Sequence, residues 1–262
     1  EGGDDTFIVS SDDTVTGGTG TDTAVLADYL KGRLDGFSGA LTAEKFPGGQ
    51  SNPTFLISDG PHRWVLRRKP PGELLPSAHA VDREYRVLSA LTDTDVPVAR
   101  PFLLCEDDAV IGSMFYVMEH LDGRVFWDPK LPEIAGNDDL AAMYAEMNSV
   151  LAALHKLDPE QLGLGDFGRP GNYFERQVSR WTKQYRASET EHSEAMEALI
   201  AWLPENMPAD DGQTSLVHGD YRLDNLMFHA TEPRIIGVLD WELSTLGHPL
   251  ADLSYQLMAW QL

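Results

Sequence analysis

Apolar positions follow two different rhythms along this chain, and the change comes near Gly123. Residues 23–34 carry Val25, Leu26, Tyr29 and Leu30 at helical spacing. From 40 to 67 the rhythm is that of strands: 40–46, a glycine turn at Pro47-Gly48-Gly49, Thr54-Phe55-Leu56-Ile57, a turn at Asp59-Gly60-Pro61, then Trp64-Val65-Leu66-Arg67. Short β-prone runs separated by Gly and Pro turns predict an antiparallel sheet. A helix is expected over 77–91, with Tyr85, Leu88 and Leu91 on one face, and strands over 99–105 and 114–118.

After Gly123 the helical period takes over. Residues 138–157 set Leu140, Tyr144, Met147, Leu151 and Leu154 along a stripe expected to be buried, and Asp158-Pro159 stops it. Residues 172–186 repeat the pattern through Phe174, Val178, Trp181 and Tyr185, and a third helix, 193–203, is closed by Pro204. A strand–loop–strand over 216–228 and 234–239 interrupts the helices, and an apolar helix over 250–262 follows. The pattern predicts an α+β chain: a flexible tail at 1–22, an antiparallel β-rich N-lobe at 23–120 and a mainly helical C-lobe at 121–262, joined near 119–123.

Composition narrows the partners. The formal charge is −22, from 42 acidic and 20 basic residues. Such a surface repels phosphate backbones and argues against a nucleic-acid partner. The acids are scattered (Asp4, Asp12, Asp107, Asp138, Asp210), which fits general surface acidity better than a field built for a cationic substrate. No apolar run reaches the roughly 18 residues of a membrane span. Residues 1–22 have neither the basic start nor the apolar centre of a secretory signal. The single Cys105 fits a reducing compartment, so the expected location is cytoplasmic.

The densest chemistry lies in 216–242, LVHGDYRLDNLMFHATEPRIIGVLDWE. Asp220 ends His218-Gly219-Asp220, Asn225 stands five positions later, and an apolar run delivers Asp240 after a turn at Glu232-Pro233. Phosphoryl transfer needs a carboxylate for the acceptor hydroxyl's proton and oxygen ligands for Mg²⁺. An Asp and an Asn at this spacing across a loop, with a second Asp at a strand end, can supply both. Any one of these residues is more often a turn residue or a cap, and the argument rests on the triple. Asp224 takes the structural reading, Glu242 a surface role in preference to the metal's surroundings, and His248-Pro249 the start of the last helix.

This loop resembles the protein-kinase catalytic loop, and H-G-D-x-x-x-x-N followed by L-D-W-E is more similar to the aminoglycoside phosphotransferase and choline kinase superfamily. Within it, GGQSNPTFLIS, WVLRRKPPG, HGDYRLDNLMF and LDWELSTLGHPLADLSY look most like phosphotransferases related to those fused to acyl-CoA dehydrogenases. The resemblance runs from about Gly48 to Leu262 and implies a protein-kinase-like bilobal fold with ATP and Mg²⁺ as cofactors. It implies Asp220 as catalytic base, Asn225 and Asp240 as metal ligands, and Asp252 as a brace for the catalytic loop. Gly48, Gly49, Gln50, Ser51 and Asn52 would lay backbone N–H groups over phosphates, where glycine permits close approach. Glu119 and Leu121 would meet adenine through their backbones. Arg67 stands where kinases carry a strand lysine paired with a helix glutamate, here Glu84. Arg67 and Lys69 share a strand face while Arg68 points away, but Pro70 ends the strand at Lys69, which favours Arg67.

The expected activity is therefore transfer of the ATP γ-phosphate to a hydroxyl of a small molecule. Aminoglycosides, amino alcohols, sugars and hydroxylated acyl groups are all allowed by the resemblance, and its nearest branch points to the last. A pseudokinase module is the alternative, opposed by the intact Asp220, Asn225 and Asp240. A metallohydrolase using His218, Asp220, Asp240 and His248 would leave Arg67 and Glu84 without a role. The last helix reaches Leu262 with no Gly, Pro or polar cap, and members of the resembled family continue with further helices over the acceptor site. A missing C-terminal part is the expectation, with Leu257 and Trp260 forming an exposed apolar patch.

Overall fold

The computed structural model describes residues 21–47, 52–70, 79–169 and 171–258. In chain order its elements are α1 (Thr21–Leu30), β1 (Thr42–Lys45), β2 (Thr54–Ser58), β3 (Arg63–Arg68), α2 (Val81–Leu91), β4 (Pro101–Cys105), β5 (Phe115–Glu119) and β6 (Arg124–Val125). There follow α3 (Asn137–Lys156), α4 (Tyr173–Ser188), α5 (Glu194–Glu205), β7 (Ser215–Val217), β8 (Leu226–Phe228), β9 (Ile235–Val238), β10 (Thr245–Gly247) and α6 (Leu250–Met258). Residues 1–20 of the predicted tail, residues 48–51, the first two positions of the helix expected over 77–91 and the last four of the predicted final helix lie outside the described residues, while positions 21 and 22 of the predicted tail belong to α1.

The chain divides into two compact units. The first runs up to Val150 and takes back Leu223–Glu242; the second holds Leu151–Arg222 and resumes at Leu243. Sequence rhythm sets its boundary at 120/121, but the strand after Gly123 and the motif's second half are grouped with the β-rich region.

In the first unit five strands pair antiparallel in the order β1-β2-β3-β5-β4. β3 is paired along both edges, and Trp64, Val65, Leu66 and Arg68 on it are all buried. One core joins Leu26 and Leu30 of α1 to Phe55, Ile57, Leu66, Phe115 and Val117. Each such side chain contributes about 1.5–3 kcal/mol on burial. The turn between β2 and β3 is held by Asp59, whose carboxylate accepts from Ser38 N at 2.8 Å and His62 N at 2.9 Å.

Helix α2 lies against β4 and β5. Its buried line is Val81, Glu84, Val87, Leu88 and Leu91, whereas Tyr85, expected on that face, is only half-buried. A glutamate inside an apolar stripe needs partners, and that need organises the site described below.

The strand–loop–strand resolves differently from its sequence reading. β8 pairs with β9 and β6, while the run before His218-Gly219-Asp220, β7, pairs instead with β10. β10 was not expected, because three residues are too few to show a period of two.

The second unit corrects two expectations. The apolar line of α4 is not buried: Phe174, Val178 and Tyr185 are half-buried and Trp181 is 52% exposed. Pro204 does not close α5, which continues to Glu205, where Asn206 N bonds back to Trp202 O at 3.1 Å. A proline in the last turn forfeits only one intrahelical bond. Ser193 caps the other end, its Oγ accepting from Met196 N at 3.4 Å. Among the described residues no helix is long and apolar enough to cross a membrane.

Candidate active site

Within the first unit, a single guanidinium gathers three carboxylates. Arg67, on β3, has Nε 2.9 Å from Glu84 Oε2, Nη2 2.6 Å from Asp240 Oδ1, and Nη2 3.8 Å from Glu242 Oε2. The Nε–H makes no directed hydrogen bond, so the Glu84 contact is an ion pair. The strand face fixes this meeting: Arg67 is opposite Thr54 on one neighbour and Tyr116 on the other.

Glu84 is 1% exposed and needs every partner it has. Asn52 Nδ2 donates to its Oε1 at 2.7 Å, and the Tyr116 hydroxyl donates to its Oε2 at 3.0 Å. His79 Nδ1 in turn lies 3.1 Å from Asn52 Oδ1 and donates to it. Burial pushes the Glu84 carboxyl up to about 7, against the downward pull of Arg67. Burial also opposes the Arg67 charge, but Glu84, Tyr116 and Asp240 outweigh it and hold the guanidinium proton more firmly.

Asp240 follows β9 with φ of 61°, a left-handed conformation that side chains adopt only where the surroundings hold it. The strand is pinned on both sides, Val238 N to Pro97 O and Leu239 N to Asn225 O, each at 2.8 Å. Asn225 itself is buried, at the end of a 3₁₀ turn spanning Leu223–Asn225. The sequence reading gave Glu242 a surface role; its side chain is 24% exposed and turned to Arg67.

The second unit carries the other half of the motif. Asp252, at the start of α6, accepts from His218 N and Gly219 N, both at 2.8 Å, and its Oδ2 lies 2.9 Å from His155 Nε2. Gly219 is required twice over: its φ is 85°, and an added Cβ would meet Leu243 O at 2.7 Å. His218 is fully buried, and its Nδ1 accepts from Asp220 N at 3.2 Å, so it shapes the loop. The Asp220 side chain is 20% exposed, with Arg222 Nε 3.3 Å from each of its oxygens. His248 accepts from Leu250 N at 3.2 Å and starts α6.

Gly48, Gly49, Gln50 and Ser51 lie outside the described residues, and buried Asn52 shows its side chain tied to Glu84. Glu119 ends β5, its N–H bonded to Arg100 O at 2.8 Å, and Leu121 lies under Gly237, where a Cβ would meet Leu121 Cδ1 at 2.4 Å. Sequence reasoning missed Tyr116, His79, His155 and Arg222. None carries a local signal, because each is defined by a partner distant in sequence or by a loop geometry.

A β-rich region with an ion-paired strand cation, followed by a helical region with an Asp-braced His-Gly-Asp loop, is the organisation of a kinase-like small-molecule phosphotransferase. The chain belongs to the phosphotransferase enzyme family, whose model matches residues 42–262. It is 49% identical over 238 residues to acyl-CoA dehydrogenase family member 11 of Gallus gallus, covering 89% of this chain and 30% of that protein. The chain thus spans less than a third of the length of that relative. A crystal structure from Ralstonia eutropha, provisionally named an aminoglycoside phosphotransferase, superposes with a TM-score of 0.81 at 52% identity, covering 91% of this chain and 70% of that one. Aminoglycoside phosphotransferase APH(4)-Ia, in a ternary complex with ADP and hygromycin B, matches with a TM-score of 0.62 over 89% of this chain and 76% of that one. At 16% identity that likeness is one of fold.

Proposed function

We propose that this chain transfers the γ-phosphate of ATP to a hydroxyl of a small molecule. The observation that carries this reading is the cluster in which Arg67 meets both Glu84 and Asp240, at 2.9 and 2.6 Å. A strand cation held by a helix carboxylate is the arrangement that presents positive charge to nucleotide phosphates. The ADP complex of APH(4)-Ia supports ATP as the donor.

In this reading the backbone around Gly48, Gly49, Gln50, Ser51 and Asn52 covers the phosphates, and the backbones of Glu119 and Leu121 meet adenine. Arg67 exchanges its contact with Asp240 for the α- and β-phosphates while Glu84 keeps it in place. Glu84, Asp240 and Glu242 offer carboxylate oxygens within 4.8 Å of one another, an all-oxygen donor set that fits Mg²⁺ better than zinc. Asn225 and Asp240 are the residues assigned to hold it, with Glu242 beside Asp240. When bound, Mg²⁺ offsets the charge that builds on the transferring phosphoryl group.

Asp220 accepts the proton of the acceptor hydroxyl as its oxygen attacks the γ-phosphorus and the β–γ bridging oxygen leaves with ADP. His218, Gly219 and Asp252 hold that carboxylate's loop without touching the reacting atoms. The name of the chicken relative favours hydroxylated acyl compounds as acceptors. We read the setting as cytoplasmic, since Cys105 is a buried free thiol. Incubation of the full chain with γ-labelled ATP, Mg²⁺ and a panel of hydroxylated acyl compounds, sugars and amino alcohols tests the reading. Label should move to a hydroxyl compound and not to its deoxy counterpart; ATP that neither binds nor turns over would overturn it.

A further inference from the structure

A half-buried imidazole in the second unit has no place in the reaction scheme above. His155 stands in the last turn of α3, directly after the fully buried Leu154, and its side chain is 12% exposed. Its Nε2 lies 2.9 Å from Asp252 Oδ2. A carboxylate only accepts, so Nε2 carries the hydrogen and donates it. The same Oδ2 accepts from His218 N and Oδ1 accepts from Gly219 N, both at 2.8 Å. Asp252 is 1% exposed, so these protein donors take the place of water around its charge. Among the described residues, His155 is the only side chain bonded to this carboxylate.

What the carboxylate grips is the backbone that carries Asp220. Two successive N–H groups turn toward one side chain, and Gly219 takes a φ of 85° in doing so. Asp220 follows at once, its own N–H bonded to His218 Nδ1 at 3.2 Å. The loop therefore stands where Asp252 stands. Asp252 belongs to α6, a helix of nine residues on which Leu250, Leu257 and Met258 are exposed. So short a helix takes its place from tertiary contacts. α3 has 20 residues and buries Leu151 and Leu154 in the turn that ends at His155. The His155–Asp252 bond ties the short helix to the long one at the point where the loop is gripped.

We propose that His155 is a positioning residue for phosphoryl transfer. Its Nε2–H holds the Asp252 carboxylate in the orientation that clamps the His218 and Gly219 amides, and through them it sets where the Asp220 carboxylate stands. This rests on the phosphotransferase reading above, in which Asp220 takes up the hydroxyl proton. His155 touches neither nucleotide nor acceptor in this scheme, so its loss falls on kcat and spares the affinity for ATP.

The test compares the full chain with H155L, H155N and H155Q. Glutamine sets its amide nitrogen close to the place of Nε2 and can still donate to Asp252, whereas asparagine sets it at the place of Nδ1, short of the carboxylate. The first readout is Mg²⁺-dependent ATP hydrolysis, in which water stands in for the acceptor: its oxygen attacks the γ-phosphorus, its proton passes to Asp220, and the β–γ bridging oxygen leaves with ADP. H155L and H155N should lose about ten- to a hundredfold in kcat with KM for ATP within about threefold, and H155Q should recover kcat to within about threefold of wild type. The second readout is hydrogen exchange. The segment 215–222 should exchange about tenfold faster or more in H155L and H155N, while 143–150 in α3 keeps its wild-type rate, which separates release of the loop from unfolding of the helix. Wild-type kcat in H155L, a glutamine variant no better than the asparagine one, or a loss carried by KM alone overturns the proposal. Wild type that hydrolyses no ATP counts against the phosphotransferase reading, and hydrogen exchange then decides the brace: equal rates over 215–222 in wild type and H155L overturn it.

Discussion

Arg67 Nη2 lies 2.6 Å from Asp240 Oδ1 across 173 positions of sequence. The contact joins the end of β3 to the residue after β9, and the same guanidinium pairs with Glu84 on α2. Three elements thus converge on one largely buried charge, which has to keep its partners to remain there.

Arg67→Ala should weaken ATP binding by about ten- to a hundredfold, the scale of one or two lost charge-assisted hydrogen bonds. Lys69→Ala should change it by less than about threefold. Lys69 lies past the end of β3, and its backbone is fixed by Met114 O at 2.9 Å. Calorimetry with ATP and Mg²⁺ on both variants decides the order; a larger loss in the Lys69 variant moves the phosphate contact there.

Asp220→Ala should cut turnover by about 10²–10⁴ while ATP affinity stays within about threefold, as loss of a general base predicts. Turnover equal to wild type removes Asp220 from the chemistry.

Asn225→Ala and Asp240→Ala should each shift the Mg²⁺ concentration needed for tight ATP binding upward, by about tenfold or more. The check is ATP affinity titrated against Mg²⁺. Superimposable curves for wild type and both variants place the metal elsewhere.

Glu84 predicts a pH dependence. An unfolded glutamate titrates near about 4.3, while burial pushes Glu84 up to about 7 against the pull of Arg67. Between those values the folded chain holds a proton that the unfolded chain has released. The contribution is therefore complete below about pH 4.3 and is lost as pH rises through 7. Thermal melts from pH 4.5 to 8 should show wild-type stability declining relative to Glu84→Gln. A difference that does not change with pH refutes the assignment.

Asp252→Ala should cost on the order of 2–4 kcal/mol, because it strands the N–H groups of His218 and Gly219 and removes the partner of His155. Denaturant unfolding measures this, and a loss below about 0.5 kcal/mol would show that another group braces the loop.

Much of this was legible in the order of residues. The β-prone runs Thr54-Phe55-Leu56-Ile57 and Trp64-Val65-Leu66-Arg67, set off by Gly and Pro turns, marked the sheet. The period through Met147, Leu151 and Leu154 marked α3, and His218-Gly219-Asp220 with Asn225 and Asp240 marked the residues to which we assign the chemistry. Other features had no local trace. The sequence could not say that β7 leaves the β8–β9 pair for β10, since three-residue strands carry no period. Nor could it say that Glu242 turns to Arg67, or that Tyr116 and Asn52 hold Glu84. Residue types and their spacing set which groups are available for chemistry. Which carboxylate meets which cation is decided by β3 lying between β2 and β5 and by β9 ending in a left-handed turn at Asp240, since a buried charge is stable only where distant segments bring its partners to it.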